Sequence, residues 1–181
     1  ALMAFEADPA LSPASRLPDE PYERTIDGKR WAPKNYDDRY LGEVDVRTTI
    51  VHSRNVPAIH LAEGVGMSAL ARQWQSLGLS GATARPSSAL GAFEATPLEV
   101  AGAYTVFPGR GEWARPSLVR AATDDGGKLL WNEDPITVRR TSARAAWLAT
   151  TLLEAVIDDG TGRAARKLGV TGAVGGKTGT T

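Results

Sequence analysis

Lys177 stands in "VGGKTGTT", residues 174–181, where glycines and threonines surround a single cation. Small residues of this kind let a ligand approach the backbone closely. With residues 176–180 extended, Thr178 and Thr180 fall on one side of the chain. Their hydroxyls, the exposed N–H groups and the Lys177 charge together suit a carboxylate, and Gly179 leaves room for a ligand or a second backbone. A solvated lysine in a glycine-rich connector is the plainer alternative. A phosphate loop is the functional rival, because Gly-Lys-Thr closes that motif. It requires a glycine five positions before Gly176, and Thr171 stands there.

Ser53-Arg54-Asn55 is the second group with chemistry to offer. A serine hydroxyl relays a proton, and an asparagine amide both donates and accepts toward a peptide. Ordinary N-capping of the next helix explains the same serine more simply. The two groups matter as a pair. Ser-x-Asn followed by Lys-Thr-Gly is two thirds of a three-part constellation whose remaining member is Ser-x-x-Lys. None of the ten serines has a lysine three residues on, so the sequence contains no such nucleophile. His52 and His60 lack a third metal ligand at useful spacing and are expected to pack or to lie at the surface.

These residues need elements to hold them. Residues 9–35 are rich in proline and polar groups and predict an irregular surface segment. "VDVRTTIVH" predicts a short helix with Asp45 as N-cap, and Pro57 suits the first turn of the next, which ends at Gly64 and Gly66. Met67, Leu70, Trp74 and Leu77 give a one-faced helix closed by Gly78. Thr96, Pro97 and Glu99 form a capping box for a helix stopped by Pro108 and Gly109. Residues 117–131 predict two strands about a "DDGG" turn. Ser142 caps a long helix through Ile157, with Trp147, like Trp74, expected in the core. A short basic helix follows "DDGTG", and a final strand is expected over 173–181. Separate helical and antiparallel blocks indicate an α+β fold.

Composition narrows the function classes. The 181 residues carry 21 basic and 21 acidic side chains, with 42% apolar content. A globular chain with zero formal charge is a poor match for nucleic acid or an anionic membrane. Without cysteine, disulfides and thiolate metal sites are excluded. No metal or cofactor is implied. The longest mostly apolar run, 147–157, is too short to span a bilayer. "ALMAFEADP" reads as the tail of a helix already under way, so the chain is expected to be part of a larger domain.

Four segments together resemble the transpeptidase domain of class A (bifunctional) penicillin-binding proteins. They are "DGKRWAPKNYDDRYLGEVDVRTTIVHSRNVPAIHLAE" (27–63), "SSALGAFEATPLEVAGAYTVFPGRG" (87–111), "GTGRAARKLG" (160–169) and "GGKTGTT" (175–181), in the family's order. The resemblance implies an α+β fold of the penicillin-binding protein/β-lactamase-like kind, an antiparallel sheet flanked by helices. It implies that residues 1–181 are a partial domain, with the nucleophile helix upstream and further strands downstream. The implied reaction is D,D-transpeptidation of peptidoglycan: a serine attacks the D-Ala-D-Ala bond of one stem peptide and passes the acyl group to an amine of another. Ser53 would relay the proton, Lys177 would supply the cationic field, and Asn55 would hold the substrate amide. Thr178 and Thr180 would bind the terminal carboxylate beside Gly179. β-Lactams would acylate the same site. Stem peptides and other cell-wall synthesis proteins are the implied partners, at the extracytoplasmic face of the inner membrane. A membrane anchor and a glycosyltransferase domain would lie further upstream. A carboxypeptidase or β-lactamase of the same fold, or a non-catalytic scaffold, are the alternatives.

This reading requires the Lys177 amine to come within hydrogen-bond reach of Ser53, and Arg54 to turn away from the shared cleft. It also sets an outcome for the isolated polypeptide. Residues 1–181, lacking Ser-x-x-Lys, should form no covalent adduct with a labelled penicillin. A stable acyl adduct in the mass spectrum would overturn the assignment of the nucleophile to another segment.

Overall fold

The computed structural model describes residues 1–179. Its core forms around α1 (Leu2–Ala7), whose consecutive Leu2, Met3, Ala4 and Phe5 are all buried. A helix apolar on every side belongs inside, and α1 packs between α3 and α6. Where irregular chain is expected over 9–35, three short strands form: β1 (Arg16–Asp19), β2 (Arg24–Ile26) and β3 (Lys29–Trp31). Asp27 and Gly28 both take positive φ, 50° and 73°, the two-residue turn whose twist matches its strands. β1 owes its form to a distant partner, β4 (Gly42–Asp45), with Leu17 opposite Val44.

The helices follow their local signals. The Asp45 carboxylate accepts from the Thr48 N–H at 2.6 Å and starts α2 (Val46–Val51). α3 (Asn55–Val65) carries Pro57 in its first turn and stops at Gly66. α4 (Met67–Ser76) buries Leu70 and leaves Trp74 half-buried, stacked on Phe93. A 3-10 turn, Pro86–Leu90, leads to α5 (Pro97–Tyr104), where both halves of the capping box are formed. α5 ends at Tyr104, short of Pro108, and tight turns fill the interval. β5 (Glu112–Ala114) pairs with β8 (Thr137–Arg139), and β6 (Ala121–Thr123) with β7 (Leu129–Asn132) about the expected turn. α6 (Ala143–Asp158) is capped by Ser142 and buries Ala145, Ala149, Leu152 and Val156 against α1 and α2. α7 (Ala164–Lys167) follows with none of its residues buried, and among the described residues four antiparallel strand pairs border the helices. The fold is α+β.

Two further expectations fail for physical reasons. Trp147 is 65% exposed rather than core, because it lies off the stripe that its neighbours Ala145, Ala146 and Ala149 bury. Residues 173–179 are not a strand. Among the described residues no strand lies alongside them, and the Gly176 N–H donates to the Leu153 carbonyl of α6 instead, at 3.1 Å.

A polar knot ties the β1–β4 region to α3. Asp19 is 0%, Asn35 3% and Arg54 7% exposed, so each must be fully partnered. Asp19 accepts from Arg54 Nε at 2.5 Å, from Asn35 Nδ2 at 2.6 Å and from the Leu41 N–H at 3.2 Å. Arg54 also donates to the Arg39 carbonyl at 2.6 Å. Asn35 Oδ1 accepts the N–H groups of Asn55 and Val56, at 2.9 and 3.2 Å, and so caps α3 from outside the helix.

Removing one partner of a buried pair strands the other charge. Asp19→Ala should therefore cost about 3–5 kcal/mol. Glu43→Ala, which breaks the exposed Arg16–Glu43 pair, should cost less than about 1 kcal/mol. Urea midpoints of the two variants check this; equal losses would contradict it.

Candidate active site

Ser53 sits at the junction of α2 and α3 in a conformation that serine rarely adopts. Its φ is +54°, a left-handed backbone costing roughly 1–2 kcal/mol for a residue with a Cβ. The Ser53 N–H donates to the Ile50 carbonyl and the Arg54 N–H to that of Thr49. These two bonds close α2 as a Schellman motif, in which the left-handed position normally belongs to glycine. The N-capping explanation of Ser53 is thereby overturned. α3 has no side-chain cap from its own N-cap residue, and Asn35 serves instead.

The Arg54 guanidinium turns into the knot with Asp19, as expected, yet Arg54 still contributes to the lining of a cleft of about 640 Å³ together with its neighbours Ser53 and Asn55. Asn55 Nδ2 donates to the Lys34 carbonyl at 2.7 Å. Among the described residues no donor reaches its Oδ1, which leaves an acceptor at the cleft.

Lys177 comes to this cleft from the other end of the chain. Its Nζ donates to Ser53 Oγ at 2.7 Å across a separation of 124 residues, and to the Thr178 carbonyl at 2.9 Å. The residue as a whole is exposed, yet it also lines an adjoining apolar cavity of about 300 Å³ beside Ile50, Ala58 and Leu153. Desolvation at that boundary holds the ammonium pKa below the ordinary lysine value.

The opposite wall is set by Gly160-Thr161-Gly162 at the end of α6. A Cβ on Gly160 would meet the Val51 carbonyl oxygen at 2.3 Å, and one on Gly162 would meet Ile157 Cδ1 at 2.8 Å. Only glycine lets this turn touch α2, where the Thr161 N–H donates to the Val51 carbonyl. The Thr161 hydroxyl then lies 2.6 Å from that of Thr178. Gly179 also lines the cleft, with open space where a Cβ would stand.

The structure therefore brings Ser53, Asn55, Lys177, Thr178 and Gly179 to one cleft. Thr180 lies outside the described residues. His52 is exposed at the cleft, and His60 packs edge-on against Tyr22. Sequence reasoning missed Thr161, whose signal was the glycine on either side of it. It also missed Tyr36, an almost fully exposed ring at the cleft, and the positioning role of Asn35 beside it. Among the described residues no cluster of histidine and acidic side chains could hold a metal.

Comparison with known proteins identifies the family and the fold. Residues 1–181 match a family described as the penicillin binding protein transpeptidase domain. The chain is 33% identical over 171 residues to penicillin-binding protein 1B of Vibrio cholerae, covering 93% of this chain and 22% of that protein. It thus spans about a fifth of the curated relative's length. The crystal structure of penicillin-binding protein 1A from Haemophilus influenzae superposes with a TM-score of 0.90 at 28% identity, covering 99% of this chain and 32% of the other. Penicillin-binding protein A from M. tuberculosis, solved as its imipenem acyl-enzyme, shares the fold at a TM-score of 0.77 and 18% identity, over 94% of this chain and 44% of that one.

The close fit of Gly160 against α2 has a measurable consequence. Gly160→Ala should cost about 1–3 kcal/mol by overpacking, whereas Gly179→Ala should leave stability unchanged. Thermal unfolding of both variants checks the contrast, and a neutral Gly160→Ala would refute the assigned contact.

Proposed function

The chain belongs to the transpeptidase domain family of class A penicillin-binding proteins, and on that premise we propose that it is the substrate-holding part of a peptidoglycan D,D-transpeptidase. The observation that carries the proposal is the 2.7 Å contact between Lys177 Nζ and Ser53 Oγ. Capping or packing gives no reason for these two groups to meet.

Acyl transfer from a D-Ala-D-Ala stem peptide needs a serine nucleophile, a proton path to the leaving amine and donors for the developing oxyanion. The nucleophile belongs to the Ser-x-x-Lys segment, which residues 1–181 do not contain; by themselves they are inactive. Ser53 relays the proton, since its hydroxyl accepts from the Lys177 ammonium and keeps its own hydrogen for donation. Lys177 supplies a fixed positive field where negative charge develops. Its partial desolvation strengthens that field by lowering the local dielectric. Asn55, with its NH2 group engaged by Lys34, presents an oxygen to a substrate N–H. Thr178 and Thr180 take the terminal carboxylate, and Gly179 leaves space for the substrate backbone. Thr161 orients the Thr178 hydroxyl.

β-Lactams acylate the same site, a reading supported by the imipenem acyl-enzyme of the M. tuberculosis relative. The full-length protein also carries a glycosyltransferase domain and an anchor that holds it at the extracytoplasmic face of the inner membrane. Among the described residues no helix is long and apolar enough to cross a membrane.

The ammonium form of Lys177 is the working form, and its pKa is depressed. Acylation of the full-length protein by a labelled penicillin should therefore fall on the alkaline side with a midpoint below 10.5. Lys177→Ala should lower the rate by about 100-fold or more at neutral pH, the scale of one lost electrostatic donor. Lys177→Arg, which stays charged throughout, should lose the alkaline limb. An unchanged limb in Lys177→Arg would assign the titration to another group.

A further inference from the structure

Tyr36 stands at the mouth of the Ser53–Lys177 cleft and is 94% exposed. A side chain this bare adds nothing to the packing of the core. Its mounting, by contrast, is rigid. Residues 35–38 form a tight turn, in which the Asp38 N–H donates to the Asn35 carbonyl at 3.0 Å and Asp38 takes a φ of +53°. The Asn35 side chain is buried in the polar knot. The Asp37 carboxylate accepts from the Arg39 N–H at 3.1 Å, and Lys34 pairs with Asp38 at 3.1 Å. From Lys34 to Asp38, Tyr36 alone has no side-chain partner among the described residues.

The turn is also fastened directly to Asn55. Asn55 Nδ2 donates to the Lys34 carbonyl at 2.7 Å, and the Asn55 N–H to Asn35 Oδ1 at 2.9 Å. Two residues of chain reach about 7 Å at most, so Tyr36 is held within a peptide unit or two of the Asn55 amide. A bare aromatic ring is thus fixed beside the group that holds a substrate N–H.

We propose that Tyr36 is a specificity-determining residue of the cleft, whose ring receives the amine-bearing side chain of the donor stem peptide. This deepens the transpeptidase reading and rests on it. In that reading Asn55 accepts a substrate N–H, while Thr178 on the facing wall takes the terminal carboxylate. The residue that precedes D-Ala-D-Ala then passes Asn55 and meets Tyr36. The acyl group is passed to an amine of a second stem, so stems of this polymer carry an amine, donors included. Such a side chain lays its methylenes on an apolar face and leaves its charged end in water. The face of the ring attracts that charge. Asp37, next in the chain and half-exposed, adds a carboxylate on the same turn.

Release of D-alanine by the full-length protein tests this with three donors. They are the N-acetyl tripeptides in which lysine, norleucine or glycine precedes D-Ala-D-Ala. The kcat/KM of the lysyl donor should exceed that of the glycyl donor about fivefold, the scale of a cation and a few methylenes on an exposed ring. The norleucyl donor should fall between them. Tyr36→Ala should bring the lysyl-to-glycyl ratio near one, and Tyr36→Phe should keep it. Because kcat/KM covers only the steps through D-alanine release, before an acceptor enters, the contrast reports on the donor. A ratio near one in the parent, or one unchanged in Tyr36→Ala, would overturn the proposal. So would an equal loss for all three donors in Tyr36→Ala, which would make the residue structural, or a ratio lost in Tyr36→Phe, which would assign it to the hydroxyl. A norleucyl donor equal to the lysyl one would exclude the amine, and an effect confined to transfer onto an added amine would place the acceptor strand on the ring. Penicillin labelling of the parent protein tests the transpeptidase reading by itself. No labelling would sink that reading, whereas labelling without discrimination among donors would sink only the role of Tyr36.

Discussion

The ion pair between Asp19 and Arg54 is the constraint on which the site depends. A guanidinium taken out of water demands a full set of acceptors, and here they come from Asp19, the Arg39 carbonyl and Asp37. Once Arg54 points inward, its two neighbours are committed to the other side of the chain. Ser53 and Asn55 present their side chains to the cleft while the guanidinium of the residue between them is held by Asp19 and the Arg39 carbonyl. Asn35 extends the same logic, since one oxygen caps α3 while its amide nitrogen donates to Asp19. Charge burial, helix initiation and side-chain aim are thus a single arrangement.

The two walls of the cleft are held by different physics. On the Ser53 side, a left-handed serine is tolerated because the Schellman bonds and the polar knot over-determine its backbone. Glycine would relieve the strain and forfeit the hydroxyl that meets Lys177. On the Thr161 side, steric closeness does the positioning, with two glycines letting the turn after α6 touch α2 at Val51 and fold back on Val156–Ile157 of α6. Lys177 bridges these walls from a segment that has no ladder of its own among the described residues and leans on α6 through Gly176.

Much of this was legible in the sequence where the cause is local. Asp45, Thr96 and Ser142 all cap the helices their positions foretell, because a cap involves only three or four residues. Ser53, Asn55 and Lys177 were legible from residue type and order, and family resemblance joined them. What escaped were dependencies at a distance. Asn35 caps a helix 20 residues away, β1 exists only through β4, and Thr161 acquires its place when Gly160 meets Val51. The Asp27-Gly28 turn was a local signal, hidden by the surrounding prolines and charges. Residues 173–179 were misread because small and hydroxylated residues form a strand only beside a neighbour, which no local pattern reveals.

The span between Ser53 and Lys177 also orders events in time. Joining groups 124 residues apart costs on the order of 4 kcal/mol of loop-closure entropy, far more than one partly exposed hydrogen bond returns. That contact cannot drive folding. It must be delivered by the packing of α6 onto α1 and α2, which closes nearly the same loop through apolar burial. The hairpins, capped helices and polar knot can form early, each within a short stretch of chain. The Ser53–Lys177 cleft therefore waits on the docking of α6.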